Sequence, residues 1–449
     1  MLLTAEEARR ITDRVLGMVK ADDAAVGVTS QMNSNLRFAA NTLQTSGRID
    51  TVSARVTVWI DRHRGTSATS DLSDASLRQM IDQAQELARL APVDREYLPT
   101  LGPQHYEPTR RYVEETATLS LADRARAIDE ALAASEKAKV ISAGFHEAQA
   151  TAGAEATKNG NFNYERSTIA SLGMTARTPD GAGSGYFLRS HIDIRRVDTR
   201  LVYKEAIRRA LESRGGRTIE ASSYPVILEA QAVADLLSGF SLNFDARSAE
   251  EGRSAFSAPG GKTRIGDKVF DERISILSDP WREDLPGAQA AASGLPSQVV
   301  YLVRNGVLEN LVYSRYWAER QKRDPTPGPV NRIIQASGKP ATVQEMIQSA
   351  DRALLVTRFW YIRSVAPRTA TLTGLTRDGV WWIEKGKIAY PVRNLRFNQS
   401  MVQMLAPGNV EMVGTPERVG ASEDQGSSAG LMPALKLRGF NFTSQSEAV

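Results

Sequence analysis

The chain has 449 residues, of which 41% are hydrophobic and 24% are charged, and it carries a net charge of +4 and no cysteine. This composition is that of a globular protein with room for two ordinary domains, and it excludes disulfides, thiolate nucleophiles and cysteine-ligated metal. The small basic surplus is concentrated only at residues 315–323, which we interpret as a solvated loop, so the charge argues against nucleic-acid binding.

The hydropathy pattern argues against a membrane protein. No apolar run approaches the roughly 18–20 residues that a membrane-spanning helix needs. The first twenty residues, MLLTAEEARRITDRVLGMVK, contain early acidic residues and lack the apolar core of a signal peptide. We therefore expect a cytoplasmic protein.

The first hundred residues predict a helix, a group of strands and a second helix. Residues 4–20 have helical periodicity, and Thr4 is the expected N-cap. A second helix, capped by Asp74 or Ser76, is predicted to end before Pro92. Strand-like segments lie between the two helices, at residues 24–31, 35–42 and 52–61.

The same order of elements recurs further along the chain. A helix is predicted at 121–137 and another at 199–213, and the strand-like segments between them are 140–150, 156–167, 168–178 and 184–193. This recurrence predicts an N-terminal α/β domain at 1–216 with an internal duplication, its units covering about 1–110 and 111–216. Gly215 and Gly216 mark the expected boundary.

Residues 217–449 are richer in strands and turns and predict a mostly antiparallel β domain. Gly and Asn residues indicate hairpin turns at 304–307, 377–380 and 385–387. A short helix is predicted at 342–350, and the Gly/Ser-rich segments 181–185 and 426–428 are predicted to be turns. The fold class that follows from the whole pattern is α+β.

The stretch 224–257 begins as a short apolar strand and continues as a helix. Apolar residues recur at three- and four-residue spacing on one face of that helix: Ala230, Val233, Ala234, Leu237, Phe240 and Phe244. A polar segment then leads to a turn around Gly252 and Ser254. By itself this pattern is typical of a core helix.

The same stretch resembles the part of the TldD/PmbA (TldD/TldE) family in which catalytic members carry an HExxxH zinc motif after a Leu-Leu pair. Here that pair is followed by SGFSLN, with Ser238 and Asn243 at the two histidine positions and Gly239 at the general-base glutamate. Hydroxyl and amide groups are poor zinc ligands, and glycine transfers no proton. The family's third ligand is a cysteine near the C-terminus, and this chain has none.

The resemblance covers most of the chain and is strongest over 223–440. It includes a polar linker at 247–257, the Asp279-Pro280 step, Asn331 followed by Gly338, and above all the long run from TRFWYIRSV to PVRNLRFNQS. It implies the two-domain TldD/PmbA fold and a member of the PmbA/TldE type. No catalytic residue, metal ligand or cofactor is then expected in this chain, and zinc is expected in a catalytic partner.

Three functions follow as hypotheses from the resemblance and the altered motif. The first is a non-catalytic subunit that pairs with a TldD-like zinc-bearing subunit and helps it to cleave small or unfolded peptides. The second is a homodimeric protein- or peptide-binding modulator, which the older family label "modulator of DNA gyrase" implies. The third is a zinc-independent peptidase that uses carboxylates beside the old motif, such as Asp245, Glu250 and Glu251.

Two further groups of residues are candidates for a binding site or a metal site. Arg358, Trp360 and Arg363 belong to the densest cluster of arginine and aromatic residues, which either forms a strand with one core face or grips a peptide substrate. His146-Glu147 starts like a zinc motif, but no second histidine follows three or four residues later, and the segment alternates as a strand. We expect no metal there.

Overall fold

The computed structural model describes residues 2–420 and 429–446 of the chain. Helices and strands alternate through its first half, and strands dominate its second half, so the predicted α+β class is confirmed. The turn predicted at 426–428 lies outside the described residues. Within them, no helix is both long and apolar enough to cross a membrane.

The N-terminal half forms one six-stranded antiparallel sheet with the strand order β3-β2-β1-β4-β5-β6. A 3-10 turn at Ile194–Arg196 precedes its last helix. In chain order the elements are α1 (Ala5–Met18), β1 (Asp23–Ala39), β2 (Thr42–Ile60), β3 (His63–Thr69), α2 (Asp74–Leu90), α3 (Glu114–Ala117), α4 (Leu121–Lys137), β4 (Ile141–Thr157), β5 (Phe162–Arg177), β6 (Ser184–His191) and α5 (Thr199–Glu212).

This sheet consists of two similar halves that join where β1 pairs with β4. Each half contains a helix, three antiparallel strands and a closing helix, and each buries its own hydrophobic cluster. A glycine in the third strand lets the closing helix approach the backbone: a Cβ on Gly65 would lie 1.9 Å from the carbonyl oxygen of Ala84, and one on Gly185 would lie 2.3 Å from that of Ala206. An internal duplication requires such a repeat, but the duplication and the domain limits stay predictions.

Two details of the N-terminal half differ from the sequence prediction. The N-cap of α2 is Ser73, whose Oγ accepts from the amide of Ser76 at 3.4 Å, because the Asp71 carboxylate holds both hydroxyls on that side. The strands are also fewer and longer than predicted. Continuous pairing carries β1 through residues 32–34, which separate two of the predicted strand segments, since each of them has a partner on both neighbouring strands.

The C-terminal half contains two larger sheets and a two-stranded one, with orders β12-β11-β10-β13-β22-β21, β15-β16-β19-β23-β7-β14-β17-β18 with β20 beside β23, and β8-β9. Its elements are β7 (Ser223–Leu228), α6 (Ala230–Phe240), α7 (Ala246–Glu250), β8 (Ser257–Ala258), β9 (Lys262–Thr263), β10 (Ile274–Ser278), β11 (Val300–Arg304), β12 (Val307–Leu308), α8 (Arg315–Arg320), β13 (Arg332–Ala336), α9 (Val343–Gln348), β14 (Arg352–Val356), β15 (Phe359–Ala366), β16 (Thr371–Thr376), β17 (Val380–Glu384), β18 (Lys387–Pro391), β19 (Leu395–Ser400), α10 (Met401–Met404), β20 (Val410–Val413), β21 (Glu417–Val419), β22 (Gly430–Met432) and β23 (Leu435–Gln445).

Pairing in this half is mostly antiparallel, as the sequence predicts; among the described strands, β7 with β14 and β13 with β22 are the parallel pairs. The helix α6 is buried on nearly every side and belongs to the largest hydrophobic cluster of the chain. Its end packs Phe240 edge-on against Phe244, Phe256 and Phe270, with ring centroids 5.2–6.0 Å apart. A helix that is apolar all round belongs in a core.

The basic cluster at 315–323 is not a loop, so that interpretation was wrong. Six of its residues form α8, which Ser314 caps through a bond from the amide of Trp317. The Trp317 side chain is buried, and its Nε1 donates to Glu250 at 2.7 Å. This aromatic anchor fixes the segment, while the arginines beside it remain at the surface.

Candidate functional site

The three positions that the family resemblance aligns with HExxxH, Ser238, Gly239 and Asn243, lie at the C-terminal end of α6 and in the 3-10 turn that follows it. Ser238 is half-buried, and its hydroxyl donates to the carbonyl oxygen of Ala234 at 3.0 Å. The same hydroxyl accepts from Nη1 of Arg332 on β13 at 2.6 Å. A guanidinium cation therefore binds the side chain that stands at the first histidine position.

Gly239, at the position of the general base, is covered by apolar side chains from the neighbouring sheet. A Cβ placed on Gly239 would lie 3.0 Å from Cδ1 of Leu372 and 3.3 Å from Cγ2 of Ile362. These contacts are tighter than ordinary van der Waals contacts. A glutamate at this position would therefore require β15 and β16 to move away from the helix.

Asn243 is buried and forms hydrogen bonds with the turn that follows α7. Its Nδ2 donates to the carbonyl oxygen of Phe240 at 3.3 Å, and its Oδ1 accepts from the amide of Ala255 at 3.4 Å. Its own carbonyl oxygen accepts from Oγ of Ser254 at 2.7 Å. The residue at the second histidine position thus connects two segments of backbone.

One helical turn before Ser238, the carboxylate of Asp235 is completely enclosed. It accepts from the amide of Phe359 at 2.9 Å and from Nε2 of Gln231 at 2.8 Å. Burial raises the pKa of Asp235 to about 6, against the opposing pull of the Arg358 and Arg332 guanidinium groups. Because desolvation outweighs the two cations, Asp235 takes up a proton under mildly acidic conditions.

These residues do not fit a zinc ion. Ser238 and Asn243 supply no imidazole or thiolate, and both are engaged with protein groups. The Arg332 guanidinium already places a positive charge beside Ser238, which opposes a second cation at that point. In the described part of the chain, no three His, Asp or Glu side chains cluster closely enough to hold a metal ion. We derive no metal-dependent step here.

The carboxylates considered for relocated chemistry all have structural partners. Asp245 caps α7 by accepting from the amide of Ser248 at 2.7 Å. Glu250 accepts from the hydroxyl of Tyr313 and from Nε1 of Trp317, both at 2.7 Å. Glu251 is paired with two arginines, of which Arg247 lies at 2.9 Å. All three are therefore engaged in contacts within the protein.

A shallow concavity of about 560 Å³ opens beside the altered motif. Gly239 and Asn243 form part of its wall, together with residues that follow α7 and residues at the end of β15. Arg253 and Arg368 border it and make its rim basic. The former motif positions are therefore still next to a surface that a ligand could reach, although the motif itself is filled.

The cluster of Arg358, Trp360 and Arg363 is divided between the core and the surface. Arg358 is buried, with Nη1 3.5 Å from Oδ2 of Asp378 and its guanidinium 4.0 Å from the ring of Tyr186. Trp360 is half-buried under the guanidinium of Arg377, which lies 4.0 Å from its ring. Arg363 is exposed on β15. Arg358 therefore lies on the core side of the strand and Arg363 on the surface side, and peptide binding by this cluster stays a prediction.

β15 is the edge strand of its sheet. Among the described strands it pairs only with β16, and that pairing is irregular between Trp360 and Arg363. Tyr361 lies in this irregular segment with a φ of 56°, a left-handed conformation that is strained for an aromatic residue. Its ring is 55% exposed and lies 4.4 Å from the Arg363 guanidinium. The strand therefore presents an unpaired edge with an aromatic and a basic side chain.

A larger cleft of about 960 Å³ lies between the N-terminal sheet and the C-terminal half. Strands β4 and β5 form one wall, and Arg111, Glu147, Asn331 and Arg418 contribute polar groups. Arg418 donates from Nε to the carbonyl oxygen of Ser190 and from Nη1 to that of Asp284, both at 2.8 Å. Burial lowers the pKa of Arg418 to about 10.

Sequence reasoning missed Arg332, Asp235 and Asp378, which organise this region. Asp378 accepts from the hydroxyl of Ser184 in the N-terminal sheet and also contacts Arg358. The available signal was weak: Asp235 is a charged residue within an otherwise apolar helix, and such a residue needs a buried partner. One of its hydrogen-bond partners, Gln231, is on the same helix, but the other, the amide of Phe359, is 124 residues away in sequence.

Comparison with known proteins gives family matches over both halves. Residues 221–444 match the family model described as the PmbA/TldA metallopeptidase C-terminal domain, and residues 24–88 match PmbA/TldA metallopeptidase domain 1. The metalloprotease PmbA homolog of Buchnera aphidicola subsp. Acyrthosiphon pisum (strain APS) is 21% identical over 219 residues, which are 47% of each chain. The match thus spans about half the length of that relative.

Solved structures match over nearly the whole chain. TldE from Thermococcus kodakarensis gives a TM-score of 0.85 at 16% identity and covers 97% of this chain and 99% of that one. A proposed modulator of a DNA gyrase from Thermotoga maritima MSB8 gives 0.82 at 17% identity, with 97% and 100% covered. Another from Bacteroides thetaiotaomicron VPI-5482 gives 0.82 at 18% identity, with 99% and 100% covered. These similarities show a shared fold.

Proposed function

Because the chain belongs to the PmbA/TldD metallopeptidase family, we propose that it is a non-catalytic subunit of a zinc peptidase that cleaves small or unfolded peptides. A TldD-like relative with an intact HExxxH motif supplies the zinc and the general base. This chain contributes part of the substrate chamber and holds the peptide in extended form. Cytoplasmic location stays a prediction.

The observation that carries the proposal is the state of the former motif. Arg332 donates to Ser238 at 2.6 Å, and Leu372 and Ile362 cover Gly239. The positions aligned with the motif are therefore occupied by contacts within the protein, and the protein's own cation lies beside Ser238. A chain that still used zinc here would need to keep this space open.

The edge of β15 supports a role in holding peptide. An extended peptide can add to an exposed sheet edge through main-chain hydrogen bonds, which tolerate many sequences. Trp360 and Arg363 then offer a flat ring and a guanidinium fork to peptide side chains or to a carboxylate. The same strand leads at Ser364 into the concavity beside the motif. Arg358 contributes indirectly, because its buried side chain holds the start of β15 in place.

Native mass spectrometry of the chain, alone and co-expressed with a zinc-bearing family member, tests the subunit assignment. The expected result is a mixed assembly with zinc only on the relative, together with a higher rate of peptide cleavage than the relative shows alone. No association and no change in rate would overturn the proposal. A metal-free homodimer that ignores the relative would favour a homodimeric binding protein instead.

A separate substitution tests whether β15 holds the peptide. In the mixed assembly, Arg363→Ala should raise the KM for peptide several-fold while kcat changes by less than twofold, because a binding contact is lost far from the zinc. Arg352→Ala, an exposed arginine at the start of β14, is the matched control and should leave both constants within twofold. Equal effects of the two substitutions would show that Arg363 on β15 does not contribute to peptide binding.

A further inference from the structure

A second pocket, of about 370 Å³, lies on the N-terminal sheet below the start of α4. The strand register places Ser34 opposite both Arg48 and Ala148, so these three side chains share the face of the sheet that forms the floor. The chain from Thr116 to Leu121 forms the roof. None of these residues belongs to α6, to the concavity beside it or to β15, so the pocket is separate from the region on which the proposed function rests.

The pocket contains a buried arginine that has no carboxylate partner. Arg124, in the first turns of α4, is only 4% exposed and lines the pocket. Its Nε and Nη1 make no hydrogen bond in the structure, and no carboxylate among residues 2–420 and 429–446 forms an ion pair with it. Burial lowers the pKa of Arg124, and the charge of Arg48 lowers it further. A buried cation without a counter-charge is costly to a fold.

Two carboxylates that lie close in sequence to pocket residues, Asp50 near Arg48 and Asp123 beside Arg124, are already engaged. Asp50 accepts from Nε of Arg48 at 2.9 Å, and Asp123 accepts from Oγ of Ser120 at 2.6 Å. A further basic group lies on the same face of the sheet: His146 is 2% exposed and is two residues before Ala148 on β4. Its Nδ1 also makes no hydrogen bond. Asp50 and Asp123 therefore do not neutralise Arg124, and His146, whose pKa burial lowers to about 4, adds an unpartnered ring nitrogen but no charge at pH 7.

Other donors border the same space. The hydroxyls of Ser34 and Ser46 line the pocket, and neither has a hydrogen-bond partner among the residues that the structure describes. The roof includes Leu121, the first residue of the 17-residue helix α4. The first amides of a helix have no partner within the helix, and its dipole favours an anion at that end.

We propose that this pocket binds a tetrahedral oxyanion, either free phosphate or the phosphate group of a small molecule, with Arg124 as its buried anchor. The Arg124 guanidinium provides a fork of donors that suits a phosphate, and Arg48, the two serine hydroxyls and the start of α4 provide donors from other directions. A tetrahedral group with several acceptor oxygens matches such a distribution better than a planar carboxylate does. The pocket volume also accommodates a phosphate ester.

Calorimetric titration of the full chain with sodium phosphate, glycerol phosphate and sodium acetate tests this proposal at constant ionic strength. We expect saturable binding of phosphate or its ester at one site per chain. Arg124→Met should weaken that binding at least tenfold, because a charge-assisted bond is lost. Arg126→Met removes an exposed arginine two residues away on the same helix and should change affinity by less than twofold.

The outcomes separate the sources of the anion. Tighter binding of the ester assigns the pocket to a phosphorylated small molecule, and equal or tighter binding of free phosphate assigns it to the ion; both support the proposal. No saturable binding of either ligand, tighter binding of acetate, or unchanged affinity in Arg124→Met overturns it. If Arg124→Met does not fold, Arg124→Lys and Ser34→Ala replace it, and unchanged affinity in both variants overturns the proposal equally.

Discussion

Two regions of the molecule surround an arginine in opposite ways. At the end of α6, Arg332 donates to Ser238, and the enclosed carboxylate of Asp235 lies within electrostatic reach. Below α4, Arg124 has neither a carboxylate partner nor, at two of its nitrogens, a hydrogen bond within the described residues. In the first region Leu372 and Ile362 cover Gly239, and neither Arg332 nor Asp235 lines the neighbouring concavity; in the second region Arg124 itself lines the pocket.

The difference separates a site that has been filled from one that is still open to a ligand. A region whose charge is balanced by its own side chains gains nothing from an external ion. A buried cation without an internal partner gains both charge balance and hydrogen bonds from a bound anion. The altered motif is therefore the weaker candidate for ligand binding, although the family resemblance first directs attention to it.

The largest expected effect is the response of the N-terminal region to acid. Burial, reinforced by Arg124, lowers the pKa of His146 to about 4 from an ordinary value of 6.5. The folded state keeps His146 neutral while the unfolded chain is protonated, so this contribution to stability is complete above pH 6.5 and is lost as the pH falls to 4. Relative to His146→Gln, the wild type should lose about 3 kcal/mol over that range.

Urea unfolding of both proteins at several pH values measures this loss. His105→Gln is the control, because that side chain is exposed. Parallel curves for the wild type and His146→Gln would show that His146 does not couple folding to pH.

The C-terminal region should respond to acid with the opposite sign. Burial raises the pKa of Asp235 from 3.8 to about 6, so this group favours the folded state below pH 3.8 and disfavours it as the pH rises through 6. Between pH 7 and pH 4 the wild type should gain about 2.5 kcal/mol relative to Asp235→Asn. The same unfolding series measures it, and a loss instead of a gain would contradict the assignment.

Arg332→Met should have the next largest effect on the free energy of unfolding. It removes the charge-assisted bond to Ser238 and one of the two cations near Asp235, and the expected loss is about 2–3 kcal/mol in the free energy of unfolding at pH 7. Arg352→Met, at an exposed position, should cost less than about 0.5 kcal/mol. Similar losses for both variants would mean that the filled motif does not depend on its cation.

The smallest effect is expected for Arg124→Met, and its sign distinguishes most directly between the Arg332 region and the Arg124 region. Arg124→Met in phosphate-free buffer should change the free energy of unfolding by no more than about 1 kcal/mol, and in the stabilising direction, because it removes a buried charge that has no partner. Thermal unfolding with and without phosphate measures it. A loss of more than about 2 kcal/mol would show that Arg124 is balanced by groups of the protein itself.

The sequence predicts the parts of this fold that depend on local patterns. Thr4 caps α1 with Glu7 in a reciprocal capping box, and the apolar spacing of 230–240 places a helix where α6 lies. The comparison of Ser238, Gly239 and Asn243 with HExxxH rests on the sequence resemblance, and it stays a prediction.

The contacts that decide the site are not local, and sequence reasoning could not find them. Arg332 lies 94 residues from Ser238, and the partners Ser184 and Asp378 are 194 residues apart. Arg124 stands in a polar helix start that suggests an exposed residue, and only the packing of α4 on the sheet shows that it is buried. Burial and long-range pairing depend on tertiary structure, which periodicity does not describe.

The left-handed residue in β15 also bears on how the protein behaves at high concentration. A flat unpaired strand is a template for uncontrolled association between copies, and natural proteins prevent this with bulges, charges and proline at sheet edges. Tyr361 breaks the regular spacing of β15, Arg363 adds a charge, and Pro367 follows the strand. Only a segment that accommodates this bend can extend the sheet, so the same edge is closed to random aggregation.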